Sequence, residues 1–295
     1  MSYNFGSGQE LLHICRENNK KIWEVMILRE IENSGLSYEE VFNLMKDNLY
    51  VMKKAVIRGL TEDIKSVSGL VGGDAKLLKN RYENKETISG SRILKAVASA
   101  MAVLEVNASM GQVVAAPTAG SCGIIPGVLI TIGDEFEIED DKLIEALFTA
   151  SAVGLIVAKN ATVAGAEGGC QAETGTASAM AAAAVVELFG GSPEAALHAA
   201  AMTIKNILGL VCDPIAGLVE CPCVKRNAIG TANALICADM ALAGIKSVIP
   251  FDEVVDAMYK VGKSMPEDLR ETALGGLAAT PTGKKIAKEI FNKNK

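Results

Sequence analysis

Four cysteines in two glycine- and proline-rich stretches carry the strongest chemical signal in this chain. Lys205 to Asn227 reads KNILGLVCDPIAGLVECPCVKRN and presents Cys212, Cys221 and Cys223, while Cys170 lies in a similar stretch, GAEGGCQAETG. Pro214 follows Cys212 closely, and Pro222 separates the other two cysteines. Proline lacks an N–H and fixes φ, so the 205–227 stretch reads as a rigid break between two helical patterns. Thiolates are nucleophiles and soft metal ligands, so the four thiols are disulfides, zinc ligands, iron ligands or buried small hydrophobes. Cys170 and Cys212 stand 42 residues apart, and Cys212 and Cys223 stand 11 apart. Small zinc sites favour CxxC pairs, and the sequence has none. Iron–sulfur clusters accept more dispersed thiolates. Cys221-Pro222-Cys223 is a CxC whose central proline makes joint ligation of one metal awkward. Free cysteine is also commonly just buried, which is the default for Cys15 and Cys237 within helical patterns.

A second stretch, PTAGSCG at Pro117 to Gly123, places a glycine-containing turn before an apolar helix. Such a turn can aim backbone N–H groups at a carboxylate or phosphate, and Thr118 and Ser121 add hydroxyls around Ala119 and Gly120. A simple loop cap is the plainer alternative. Cys122 is either a ligand or packed. Charged residues in apolar surroundings are Lys159, Glu167, Glu173, Lys205, Asp213, Glu220, Lys225 and Arg226. Each has a salt-bridged or solvated reading; Lys159-Asn160, leading into a break, is the pair best placed for a carboxylate. Histidine is scarce: only His13 and His198, both on helical patterns. The chain is better equipped to bind a metal centre than to move protons.

The totals narrow the field. The chain has 295 residues, ample for a sizeable core. Net charge is −6 and the isoelectric point is about 5.2, which leaves no basic footprint for nucleic acid or an anionic membrane. Aromatic residues make up only 4%, so the core must be aliphatic and alanine-rich. A mean hydropathy of +0.26 points to extensive burial, a subunit interface included. The opening MSYNFGSGQELLHICREN has no apolar signal core, and no apolar stretch reaches the roughly 18 residues of a membrane helix. The expected compartment is the cytoplasm, where an odd set of seven cysteines is a poor disulfide framework.

The elements that position these groups read as helices. Residues 1–65 form an N-terminal helical segment, in which Gly35 is a stop and Ser37 with Glu40 makes a capping box. Residues 66–92, Gly/Ser-rich and polar, read as a loop. Residues 93–295 form the main domain, expected to make one compact unit with residues 1–65. They hold helical patterns at Ile93 to Met110, Leu143 to Lys159, Ala177 to Leu188, Ser192 to Lys205, Ala228 to Ile245, Ile249 to Lys263, and a short lysine-rich helix within Thr280 to Lys295. Ser192-Pro193 suits a helix start. Strand alternation is absent, so the class is all-α. Three breaks, at 111–127, 160–175 and 209–227, are the unusual feature, because helix ends meeting at such breaks can build a site.

At these residues the sequence closely resembles the α chain of bacterial iron–sulfur-dependent L-serine dehydratases. The matching blocks are GQVVAAPTAGSCGIIPGVL, KNATVAGAEGGCQAETG, NILGLVCDPIAGLVECPCVKRNAIGTANAL and MPEDLRETALGGLAATPTGK, from about residue 111 to 284. The resemblance implies a [4Fe–4S] cluster held by Cys170, Cys212 and Cys223, with Cys221 not a ligand and one iron left open. It implies deamination of L-serine to pyruvate and ammonia without pyridoxal phosphate. It also implies a β subunit carrying the proton-transfer residues, the base among them, and docking with this apolar chain; the stoichiometry and any higher oligomer stay open. Thr118, Ala119, Gly120 and Ser121 would hold the substrate carboxylate, with Lys159 and Asn160 as further candidates. Some single-chain members end in a tail bearing another cysteine, whereas no cysteine follows Cys237 here. Two other readings remain at this stage: a related β-eliminating lyase acting on L-cysteine or L-threonine, and a non-catalytic metal-binding scaffold.

Overall fold

A computed structural model describes residues 2–293. It is helical throughout: α1 Gly8–Asn18, α2 Ile22–Ser34, α3 Tyr38–Thr61, α4 Asp74–Asn84, α5 Ser91–Ala108, α6 Ile124–Glu135 and α7 Asp140–Asn160. The short α8 Gly165–Gly168 follows, then α9 Cys170–Leu188, α10 Pro193–Lys205, α11 Cys223–Leu242, α12 Phe251–Ser264 and α13 Pro281–Lys293. Among the described residues no strand forms, and an isolated parallel bridge joins Cys212 to Arg270. The all-α expectation holds. No described helix is long and apolar enough to cross a membrane.

The centre is α9. Every residue from Cys170 to Glu187 except Glu173 is buried, and α7, α10, α11 and α6 all pack on it. Its sequence explains this. A run such as ASAMAAAAVV has no polar face to give to water, and a helix apolar all round belongs in an interior. Alanine side chains also let neighbouring axes approach closely. Gly230 of α11 is part of the same fit: a Cβ there would lie 2.9 Å from both Ser178 Oγ and Thr174 Cγ2 of α9. The N-terminal helices close over this core, α2 on α7 and α3 on α5.

Local signals set several helix ends. Ser37 accepts from the Glu40 N–H while the Glu40 carboxylate accepts from the Ser37 N–H, a reciprocal cap. Gly35 ends α2 in the left-handed region, and Ser192 caps α10 ahead of Pro193. Other helix starts are held from a distance by carboxylates. Glu105 accepts the N–H groups of Gly73, Asp74 and Ala75 at the start of α4. Glu187 accepts those of Ile22 and Trp23 on α2, and Asp252 those of Gly8 and Gln9 on α1. Each satisfies donors that a helix leaves without intrahelical partners.

The structure corrects some boundaries. Within the N-terminal helical segment, the stretch ahead of the Gly35 stop is two helices, because Asn19 turns left-handed (φ 49°) and Lys20 and Lys21 separate them. Residues 66–92 are not all loop, since α4 occupies their middle. The 111–127 break ends at Gly123, with Pro126 tolerated in the first turn of α6. The 160–175 break ends at Gly169, so Cys170 opens α9. The lysine-rich C-terminal helix is α13; residues 294–295 of that expectation lie outside the described residues.

Candidate functional site

The three breaks meet, and side chains tie each to the others. Thr118, in the first break, donates its hydroxyl to Glu173 Oε1 at 2.8 Å on α9, just past the second break. Asn227, at the end of the third, donates to Gly120 O at 2.8 Å and accepts the Gly123 N–H at 3.1 Å. Gly165 of the second break lies against Cys212 of the third: a Cβ on Gly165 would stand 2.9 Å from Cys212 Sγ and 3.0 Å from Glu173 Oε2. Only a glycine lets the backbone approach that closely.

Cys170, Cys212 and Cys223 line this junction. Cys170 and Cys223 are the first residues of α9 and α11, where a thiolate gains from the helix N-terminus. Gly169 makes the entry to α9 with φ 76°, and a Cβ on it would lie 2.8 Å from Leu210 O. Cys212 sits in extended backbone, donating to Leu269 O at 2.9 Å and accepting from the Glu271 N–H at 2.7 Å. All three thiols are free and buried. Burial pushes Cys170 up; Thr174, whose Oγ1 is 3.2 Å from its sulfur, and Arg226 pull the other way. Cys212 is raised strongly by burial, then by Cys170, Glu173, Glu271 and Cys223. Cys223 is pushed up to about 12 by burial, then by Cys170 and Glu173. The thiols therefore stand in one another's field, and ionising all three requires a compensating cation.

The donor set fits a cluster better than a single ion. Among the described residues no three His, Cys, Asp or Glu side chains gather closely enough to hold one metal ion. A cluster spreads its ligands over separate irons and takes thiolates from distant parts of a chain. Three buried, free thiols from separate parts of the chain meet that demand, and soft sulfur donors of this kind suit iron–sulfur or zinc.

The other cysteines differ. Cys221 is half-buried, and its carbonyl accepts the Ile215 N–H at 2.9 Å. Cys122 is buried behind Ser121, with its thiol pushed up to about 12 by burial. Cys15 and Cys237 lie in α1 and α11, raised by burial to about 12 and about 11.

The turn at Thr118–Ser121 is where the sequence places it, immediately before α6, with Ala119–Ser121 as a single 3-10 turn. Ser121 is fully buried, its Oγ 3.1 Å from Thr118 Oγ1, so it reaches a ligand through Thr118. Glu173 faces the turn: a Cβ on Gly120 would lie 3.1 Å from its Oε2. Burial pushes the Glu173 carboxyl up to about 7, against the pull of the Thr118 hydroxyl. Lys159 and Asn160 are otherwise engaged. Lys159 Nζ donates to Phe5 O at 2.9 Å and Asn160 Nδ2 to Gly6 O at 2.6 Å, binding the N-terminal segment to the end of α7.

Several contributors escape a reading of spacing. Arg226 forms a buried pair with Asp213 at 2.7 Å and donates to Val211 O at 2.7 Å, pinning the backbone on either side of Cys212. Asp213 also accepts the Leu277 N–H at 2.7 Å, which brings the 270–277 segment over the junction. Glu271 (φ 62°) and Ala273 (φ 57°) are left-handed there, a strained conformation for side chains bearing Cβ. Of the remaining charged residues singled out, Glu220 accepts from Ser66 Oγ at 2.6 Å and Lys225 pairs with Asp74, both structural ties to the α4 region. Arg226 and Asp213 carry one sequence signal, as charges in apolar surroundings; the Leu277 contact carries none.

A profile of the family described as "Serine dehydratase alpha chain" matches residues 17–278. The chain belongs to that serine dehydratase alpha-chain family. It is 54% identical over 287 residues to the "Probable L-serine dehydratase, alpha chain" of Bacillus subtilis (strain 168), covering 97% of this chain and 95% of that one. It is 47% identical over 285 residues to the "L-serine dehydratase, alpha chain" of Peptoniphilus asaccharolyticus, covering 97% and 98%. It is also 38% identical over 283 residues to "L-serine dehydratase 2" of Escherichia coli (strain K12), covering 94% of this chain but 62% of that longer one. All four sequence blocks that carried the resemblance lie largely within the matched family region, and the junction of the three breaks is built from them.

Proposed function

We propose that this chain is the α subunit of a lyase that deaminates L-serine to pyruvate and ammonia, working with a β subunit. The observation that carries the reading is the meeting of Cys170, from the second break, with Cys212 and Cys223, from the third, at one buried junction. These three would hold a [4Fe–4S] cluster. When bound, a cluster with one iron free of protein thiolate supplies Lewis-acid assistance to departure of the serine hydroxyl.

The chain's own residues supply position and shelter. Ala119 and Gly120 offer backbone N–H groups to the substrate carboxylate at the head of α6, and Thr118, whose proton goes to Glu173, holds the turn in place. Glu173 and Asn227 fix that turn relative to α9 and α11. Arg226 and Asp213 hold the Cys212 backbone, and the 270–277 segment covers it from water. Proton abstraction from the α-carbon belongs to the β subunit in this reading. His13 is exposed on α1, and His198 lines a groove with Arg16 and Glu194, so neither serves the junction. Family relatives of greater length, of which this chain covers about three-fifths, support a second functional part outside it.

The test is anaerobic reconstitution with iron and sulfide, read by visible absorbance and iron content. Wild type and Cys221→Ala should form the cluster; Cys170→Ala, Cys212→Ala and Cys223→Ala should not. Pyruvate release from L-serine after adding the β subunit then tests the activity, with L-threonine and L-cysteine as competing substrates. A wild-type chain that binds no iron, alone or with the β subunit, would leave a non-catalytic scaffold as the reading.

A further inference from the structure

A cavity of roughly 390 Å³ lies between α2, α3 and α7, away from the cysteines. Its walls include Met26, Met45, Met52, Leu155 and Met180, an adaptable apolar surface. One end is different. Arg29 and Glu30, consecutive on α2, both line it, and Arg29 Nη1 donates to Glu30 Oε1 at 2.6 Å. The Arg29 side chain is only 14% exposed. Its Nε is buried and has no hydrogen-bond partner among the described residues. A guanidinium carries five N–H donors in a fixed fork that matches a carboxylate. A buried charged donor without an acceptor is costly, so this atom points to an acceptor supplied from outside the chain.

We propose that this cavity binds an L-amino acid with an aliphatic side chain. Its carboxylate would take the free edge of Arg29, its ammonium the Glu30 carboxylate, and its side chain the methionine-lined body. The volume is in the usual range of small-molecule sites, about 300–1,000 Å³. Neither half of the cavity selects this class alone. The charged pair would suit any zwitterion, and the apolar walls any hydrocarbon; together they favour an aliphatic amino acid over serine, which has no apolar body to bury. The site is thus separate from the one under the proposed activity, and it stands whether or not the cysteines hold iron. It is not isolated from them. Val114 to Pro117 form one wall and lead directly into Thr118, and Met180 of α9 forms another. Occupancy would restrain the turn that Thr118 begins.

The experiment is calorimetry on the full-length chain with L-leucine, L-leucinamide, 4-methylpentanoate and L-alanine. Leucine should bind, and each analogue, lacking the carboxylate, the ammonium or the apolar body, should bind at least about tenfold more weakly, the size of one charge-assisted hydrogen bond. Arg29→Gln should weaken leucine by a similar factor. Ser151→Phe fills the cavity and should abolish binding; Asn48→Trp, at an exposed position on its mouth, does the same without touching the interior. Circular dichroism confirms that the variants fold. Absence of leucine binding at about 10 mM, well above the affinity range of specific sites, would overturn the proposal. So would leucine binding that survives Arg29→Gln and Asn48→Trp, or analogues that bind as tightly as leucine.

Discussion

The Thr118 hydroxyl donates to Glu173 Oε1 at 2.8 Å, joining the turn before α6 to the first turns of the central helix α9 across 55 residues of sequence. Through this contact the candidate carboxylate site and the cysteine junction share a wall. A shift of the turn is therefore a shift of any carboxylate held there relative to Cys170 and Cys212.

Thr118→Val keeps the shape and removes the donor. Hydrogen bonds to charged groups contribute about 1.5–3 kcal/mol, so kcat/KM for L-serine should fall about 10- to 100-fold. The visible spectrum of the reconstituted enzyme should be unchanged, because no thiol is touched. Ser121→Ala, which acts through Thr118, should raise KM less. An unchanged KM in both variants, with the spectrum intact, would remove the turn from substrate binding.

Asp213 and Arg226 make a buried pair, with side chains 4% and 15% exposed. Removing one partner leaves an uncompensated buried charge, which costs about 3–5 kcal/mol. Asp213→Ala also strands the Leu277 N–H. Urea denaturation of the apo chain should show a loss of that size, and Arg226→Lys, which keeps the charge but not the fork, a smaller one. A loss below about 1 kcal/mol in Asp213→Ala would mean that water already screens the pair, as at a surface.

Gly169→Ala places a Cβ 2.6 Å from Met265 Sδ and 2.8 Å from Leu210 O at a φ of 76°. The flexible methionine can move; the carbonyl cannot move without dragging Gln171, whose N–H it accepts at 3.0 Å. With ψ at 177° this is a positive-φ extended backbone that is essentially restricted to glycine, and holding alanine there costs about 1–3 kcal/mol. A thermal scan should show Tm lowered by about 2 °C for each kcal/mol lost. Iron loading should fall with it, because Cys170 is the next residue. Wild-type Tm and loading together would show that the entry to α9 relaxes freely.

What the sequence made legible was local. Gly35, the Ser37–Glu40 box and the Ser192-Pro193 start each act within a turn of their own helix, so their residue types suffice to announce them. The breaks were legible for the same reason, as places where glycine and proline interrupt apolar periodicity. By contrast α4 lies in a stretch whose Gly/Ser-rich, polar sequence reads as loop. It buries only Ala75, and its first N–H groups are held by Glu105, about thirty residues away, a partner no local pattern reveals. The junction follows the same rule. The cysteines stood out by type, and family resemblance selected three of them, but their packing depends on contacts such as Gly165 with Cys212 and Asp213 with Leu277. Lys159 and Asn160 stood out as charge before a break, and the carbonyls they bind belong to a segment 154 residues away.

Glu187 offers a test of how the distant carboxylate caps work. It is buried on α9, accepts the Ile22 and Trp23 N–H groups of α2, and also accepts the Thr149 hydroxyl. Burial pushes its carboxyl above the ordinary value of 4.5, while those three donors pull the other way. The folded chain therefore binds this proton more tightly than the unfolded chain. The corresponding stability is fully present below the unfolded pKa and is lost as pH rises through the raised folded value. Glu187→Gln cannot titrate, so the difference in Tm between wild type and variant isolates the effect from other acids. That difference should be largest near about pH 4 and shrink toward about pH 8. A difference that grows with pH would mean that the helix N-terminus and Thr149 outweigh burial, making Glu187 an ionised cap whose stabilisation is lost in acid.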